Sequence, residues 1–185
     1  MFTKNKRRII EFCLGIFILG TVIFAYAPGA APAFELTCIS NALCGITLCL
    51  DAIAPKCVPW TWWHMLTTCI STVLCTVCFE LSGYHFFNFS GAFLFLHAIN
   101  PACMICMYMQ KSTQTKSKLW LVPTPVMLYA LFDVIRFAIT GKLVYGLVTP
   151  ELLTILNAIL IGCGLYAFEL LIAWVLQTLR STIHK

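Results

Sequence analysis

The stretch Ile9–Ala27, IIEFCLGIFILGTVIFAYA, decides the fold class. It is apolar over about the ~20 residues that a helix needs to cross the hydrocarbon core of a bilayer. A single carboxylate, Glu11, interrupts it near its start, and Lys4, Lys6, Arg7 and Arg8 stand directly before it. Five further stretches of this kind follow along the chain: Phe34–Ile53, Trp60–Leu81, Ser90–Met109, Trp120–Ile139 and Glu151–Gln177. Proline, glycine and charge punctuate the gaps at Pro28–Pro32, Pro55–Pro59, Ser82–Asn88, Lys111–Lys118 and Thr140–Pro150. A transmembrane barrel needs alternating segments of ~10 residues, whereas these runs are continuous and twice as long. The reading is all-α: one domain over residues 1–185, a bundle of six transmembrane helices.

Composition agrees with that reading. Of the 185 residues 61% are hydrophobic and 10% charged, with a mean hydropathy of +0.91. A soluble domain has roughly 45–50% apolar and about 25% charged residues. Too few polar groups remain to cover a water-soluble surface, which excludes a soluble globule, a disordered chain and a nucleic-acid-binding fold.

Lysine and arginine set the orientation, because they stay on the cytoplasmic side. With both termini inside the cell, Lys4, Lys6, Arg7, Arg8, Lys56, Lys111, Lys116, Lys118, Arg180 and Lys185 are cytoplasmic, ten of the twelve basic residues. Lys142 faces outward and Arg136 lies within the fifth span. Trp60, Trp62, Trp63 and Trp120 then mark the cytoplasmic interface, and Tyr84, Phe86 and Phe87 the outer one. The expected location is the cell membrane. The basic start followed by Ala25-Tyr26-Ala27 or Ala31-Pro32-Ala33 also resembles a secretory signal peptide. The apolar run is long for that and another span begins at once, so it reads as a retained span.

Eleven cysteines are present, and all but Cys57 fall inside spans. Cys75-x-x-Cys78 and Cys103-x-x-Cys106 have the spacing of a metal or redox pair. On an apolar helix cysteine also serves as a small hydrophobe, and packing is the preferred reading. His64, His85 and His184 do not match the depth of His97, so no paired-histidine haem site is expected. No cofactor and no metal are implied. Signatures of soluble enzymes are missing too: no Gly-x-Ser-x-Gly elbow, phosphate-binding lysine loop, dinucleotide glycine pattern or His-Glu-x-x-His occurs.

Ionisable groups inside a membrane cost at least about 2.5–3.5 kcal/mol each at mid-helix and need a reason. They are Glu80, His97, Asp133, Arg136 and Glu169, with Glu11 and Asp51 near enough to the cytoplasmic face to be solvated. Thr37, Ser40 and Asn41 stand at i, i+3 and i+4, and so do His97, Asn100 and Pro101, which gives each set one helix face. Pro101 removes a backbone hydrogen bond and frees the carbonyl of His97. Asp133 and Arg136, at i and i+3, are expected to form a structural ion pair. The topology places most of these groups in one outer-leaflet layer, as a polar pocket lined by spans 2, 4 and 5, with Glu169 deeper. Three readings stay open for that layer: hydrogen bonds that join helices, a catalytic or ligand pocket, and an ion path.

Three motifs carry a resemblance. Glu35-Leu36-Thr37-Cys38-Ile39-Ser40-Asn41 is similar to the Phe-Thr-x-x-Ser-Asn-Leu pattern of a family of small bacterial six-span membrane proteins. Leu94-Phe95-Leu96-His97-Ala98-Ile99-Asn100-Pro101 resembles its Leu-Leu-His-x-x-x-Pro. Ile135-Arg136-Phe137-Ala138-Ile139-Thr140-Gly141, followed by Tyr145, resembles its Ile-Arg-Gly-x-x-Thr-Gly and downstream Tyr-Pro. That family is distantly similar to the androgen-induced membrane proteins, hydrolases of fatty acid esters of hydroxy fatty acids. Leu36 replaces the usual aromatic residue, Phe137 the glycine, and a loop tryptophan is missing. The resemblance implies a threonine nucleophile at Thr37, a histidine at His97, and membrane lipids and a lipid ester as partners. Ser40, Asn41 or Asn100 would line the pocket, with Asn41 or Asn100 donating to the oxyanion. The competing expectation is a non-enzymatic protein, either a small-solute transporter or a membrane scaffold.

Overall fold

The computed structural model describes residues 4–27, 34–81, 91–111, 117–144 and 154–184, and all of its regular structure is helical. The side chains of Lys4, Cys78 and Glu80 lie outside the described residues. So do Tyr84, His85, Phe86, Phe87, Lys116, Tyr145 and Lys185. The helices are α1 (Lys4–Tyr26), α2 (Leu36–Ile53), α3 (Trp60–Leu81), α4 (Ala92–Gln110), α5 (Thr124–Thr140) and α6 (Ile155–Ile183).

Local chemistry moves several boundaries. α1 starts earlier than its apolar run, because lysine and arginine are good helix formers. A short 3-10 turn, Leu119–Leu121, precedes α5, whose first turn carries Pro125 where no N–H is required. Thr154 caps α6, its hydroxyl accepting the Asn157 N–H at 3.2 Å, so the helix begins after Glu151 and Pro150.

Among the described residues five helices are long and apolar enough to cross a membrane: α1, α2, α4, α5 with its preceding turn, and α6. α3 is 22 residues long, and the side chains of its last four residues lie outside the described residues. Its Thr67, Thr68 and Ser71 return their hydroxyls to the helix's own backbone or stay enclosed, and it contains the most buried stretch of the chain, Trp63 to Ser71. A helix surrounded by protein does not have to be apolar on every face. Ile18, Cys44, Leu48, Trp63, Leu66, Ile70, Met104 and Met107 form the main core, joining α1, α2, α3 and α4.

α1 and α2 approach closely at two glycines. A Cβ on Gly15 would lie 2.8 Å from the Gly45 carbonyl oxygen, and one on Gly45 would lie 2.8 Å from Leu19 Cγ. Small residues at such a crossing let helix backbones meet. The described cysteines other than Cys75, Cys103 and Cys106 include three buried thiols, Cys38, Cys44 and Cys69, and Cys44 sits in the main core.

One end of the bundle gathers charge. Arg7 Nε lies 3.0 Å from Glu11 Oε1, and Lys111 Nζ is bonded to Asp51 Oδ2 and lies 3.8 Å from Glu11 Oε1. Glu11 and Asp51 are 2% and 4% exposed, so they are enclosed ion-pair partners rather than solvated groups. Burial pushes the Lys111 ammonium down from the ordinary lysine range, opposed by its hydrogen bond to Asp51 and the charges of Asp51 and Glu11. Two tryptophans expected at the interface work inside this cluster: Lys111 Nζ lies 3.9 Å from the Trp63 ring centre, and the Arg180 guanidinium 4.1 Å from that of Trp60. Arg180 also donates twice to the Lys111 carbonyl, at 2.9 and 2.6 Å, fastening α6 to the end of α4.

Candidate functional site

The middle of the site is a change of helical register in α4. Phe95–Ile99 forms a π-helical turn, and the Asn100 N–H bonds to the Phe95 carbonyl, five residues back. Pro101, with no N–H, cannot supply the next bond of that register, which would go to Leu96. The Leu96 carbonyl instead accepts Asn41 Nδ2 at 3.0 Å. The π turn thus adds the Leu96 carbonyl to the groups that Pro101 leaves open to a partner on another helix.

Asn41 is the junction. Its Nδ2 also donates to the Thr37 carbonyl at 2.8 Å, and its Oδ1 accepts Asn100 Nδ2 at 2.9 Å. Asn100 Nδ2 donates again, to Thr21 Oγ1 at 2.9 Å, and the Thr21 hydroxyl donates to the Ile18 carbonyl at 2.7 Å. The Ser40 hydroxyl donates to the Thr37 carbonyl at 3.3 Å. The cluster thus joins α1, α2 and α4, and its members Ser40, Asn41 and Asn100 are essentially sealed from solvent.

Thr37 and His97 face one another within it. His97 Nδ1 lies 3.0 Å from the Phe93 carbonyl oxygen, and its Nε2 lies 3.4 Å from Thr37 Oγ1. A carbonyl only accepts, so Nδ1 carries a hydrogen, and in the neutral form of the ring Nε2 is the acceptor that faces the threonine hydroxyl. The gap is longer than the usual hydrogen bond to a hydroxyl, as is common between nucleophile and base before substrate binds. Thr37 and His97 are 3% and 4% exposed. Phe93 stacks along the His97 ring at 6.2 Å and meets Tyr26 edge-on at 5.6 Å. Tyr26 in turn donates to Glu35 Oε2 at 2.8 Å, at the mouth of α2.

Two expectations change. Both hydrogens of the Asn41 amide and both of the Asn100 amide are engaged inside the cluster, so neither amide presents a donor to an oxyanion. They hold the site in shape. None of these amide hydrogen bonds reaches span 5, whereas α1 joins the cluster through Thr21. Asp133 and Arg136 are not paired with each other among the described residues. Asp133 Oδ1 accepts the Val144 N–H at 2.8 Å, and Arg136 Nη1 donates to the Lys142 carbonyl at 2.7 Å. Gly141, at φ 69°, turns the chain back over the last turn of α5. The unsatisfied backbone groups there attract both side chains more directly than they attract each other.

Thr21 was not singled out from sequence. It is a lone threonine in an otherwise apolar helix, and only its place one turn beyond Ile18 on the packed face marks it. Compared with protein-family models, curated proteins and solved structures, the chain matches none.

Proposed function

We propose that the chain is an integral membrane protein of six spans, both termini cytoplasmic, in which Thr37 and His97 act as nucleophile and general base on a lipid ester. The observation that carries the reading is the oriented imidazole: Nδ1 bonded to the Phe93 carbonyl, and Nε2 3.4 Å from Thr37 Oγ1. The long apolar helices support the membrane setting, and the ion-paired end holding Arg7, Lys111 and Arg180 supports the orientation.

In this reading Thr37 Oγ attacks the ester carbonyl carbon while His97 Nε2 takes the hydroxyl proton. The carbonyl π pair moves onto oxygen, then returns as the bond to the alcohol oxygen breaks. His97 gives its proton to that departing oxygen. Water then attacks the acyl-threonine, passing a proton through Nε2, and the acid leaves as Thr37 regains its hydroxyl. Ser40 is the donor best able to meet the oxyanion, since its bond to the Thr37 carbonyl, at 3.3 Å, is longer than those of the Asn41 and Asn100 amides and a hydroxyl can rotate. Lipid chains would reach the pair sideways past Phe34, Ile39 and Leu94, which are exposed and apolar.

A second reading rests on the amide hydrogens of Asn41 and Asn100, all of them engaged within the cluster: a scaffold whose polar cluster only joins helices. A fluorophosphonate probe and a chromogenic fatty-acyl ester, applied to protein in lipid nanodiscs, separate the two. The hydrolase reading expects labelling that Thr37→Ala abolishes and turnover that His97→Gln lowers by about 10²–10⁴-fold. Equal labelling of wild type and Thr37→Ala would leave the scaffold.

A further inference from the structure

A second buried polar group lies where α3 meets α6, apart from Thr37 and His97. His64, Thr68 and Thr72 stand at i, i+4 and i+8 on α3, one above another on a single face. Glu169 and Ala173 stand one turn apart on α6. Two bonds connect the faces: His64 Nε2 donates to the Ala173 carbonyl at 3.0 Å, and the Thr72 hydroxyl donates to Glu169 Oε1. His64, Thr68, Glu169 and Ala173 are all 0% exposed.

Three polar atoms of this seam lack a hydrogen-bond partner: Glu169 Oε2, Thr68 Oγ1 and His64 Nδ1. Because His64 Nε2 carries the hydrogen for Ala173, its Nδ1 is a bare acceptor. No ion pair reaches Glu169 among the described residues. Among the described residues the titratable groups on the elements around it are His64, Cys69 and Cys75 on α3, His97, Cys103, Cys106 and Tyr108 on α4, and Tyr129, Asp133 and Arg136 on α5. Asp133 and Arg136 are spent on Val144 and Lys142. On α6 itself Arg180 lies three turns away, bonded to the Lys111 carbonyl.

An enclosed carboxylate with no counter-ion costs several kcal/mol. A proton on Oε2 removes that charge and converts the partnerless acceptor into a donor. We propose that the α3–α6 seam is a proton-binding site: Glu169 holds one exchangeable proton on Oε2 while Thr72 bonds to the other oxygen. Thr68 Oγ1 and His64 Nδ1 are the next acceptors, one and two turns along α3. The site is independent of Thr37 and His97, which lie against α1, α2 and α4.

Infrared spectroscopy of the full chain in nanodiscs, with glutamate carrying a 13C-labelled side-chain carboxyl, tests this at neutral pH. The expected result is a protonated-carboxyl band that shifts with the label and with deuterium exchange, is lost in Glu169→Gln and persists in Glu169→Asp. Absence of the band from wild type, or its survival in Glu169→Gln, overturns the proposal. Loss of the wild-type band on adding sodium also overturns it, because a metal cation would then be the ligand. The wild-type arm decides even where a variant fails to fold.

Discussion

Asn41 makes more of the site than Thr37 does. It holds the Thr37 and Leu96 carbonyls and receives Asn100, so removing its amide leaves the enclosed Leu96 carbonyl and one enclosed Asn100 N–H unmatched, while the Thr37 carbonyl keeps Ser40. Each such loss costs about 1–3 kcal/mol. Asn41→Ala is therefore expected to lower stability by about 2–4 kcal/mol, read as a falling thermal midpoint in detergent. Asp133 and Arg136 give the opposite expectation. Each bonds to backbone beyond α5, so a double-mutant cycle between Asp133→Asn and Arg136→Gln should return a coupling below about 0.5 kcal/mol. A coupling well above that value would restore the direct pair. Spacing alone suggested that pair, because sequence shows which side chains are neighbours on a helix but not the backbone groups that compete for them.

Among the elements, α4 owes its place in the polar cluster to an irregularity. The spacing of His97, Asn100 and Pro101 was readable as one face, and so was the set Thr37, Ser40 and Asn41. The π turn was not, since a one-residue shift leaves no trace in hydrophobic pattern and emerges only where Asn41 takes the Leu96 carbonyl. Pro101→Ala returns an N–H that can bond within the helix, competing with Asn41. It should reduce probe labelling of Thr37 while the protein stays folded, as judged by circular dichroism and gel filtration. The α1–α2 crossing is a packing matter. Gly45→Val places methyl groups against Leu19 and the Gly15 backbone and should cost about 1–3 kcal/mol of stability. Gly20→Ala, with nothing within 4 Å of the added Cβ, should be neutral or mildly stabilising by about 1 kcal/mol or less.

For the whole molecule, length and apolarity made the all-helical architecture legible. The burial of Glu11 and Asp51 was hidden, because their partner Lys111 lies 60 or more residues away in sequence. Sidedness is open to a direct check in intact cells. A membrane-impermeant maleimide should label Lys142→Cys, in a variant lacking Cys57, before permeabilisation, whereas Cys57 in the wild type should label only afterwards. The most direct test of the central claim is mass spectrometry of the chain quenched during exposure to a fatty-acyl ester. An acyl mass on the peptide containing Thr37, absent in Thr37→Ala and slow to form in His97→Gln, is the predicted result. No adduct on that peptide, with ester turnover unchanged in Thr37→Ala, would contradict it.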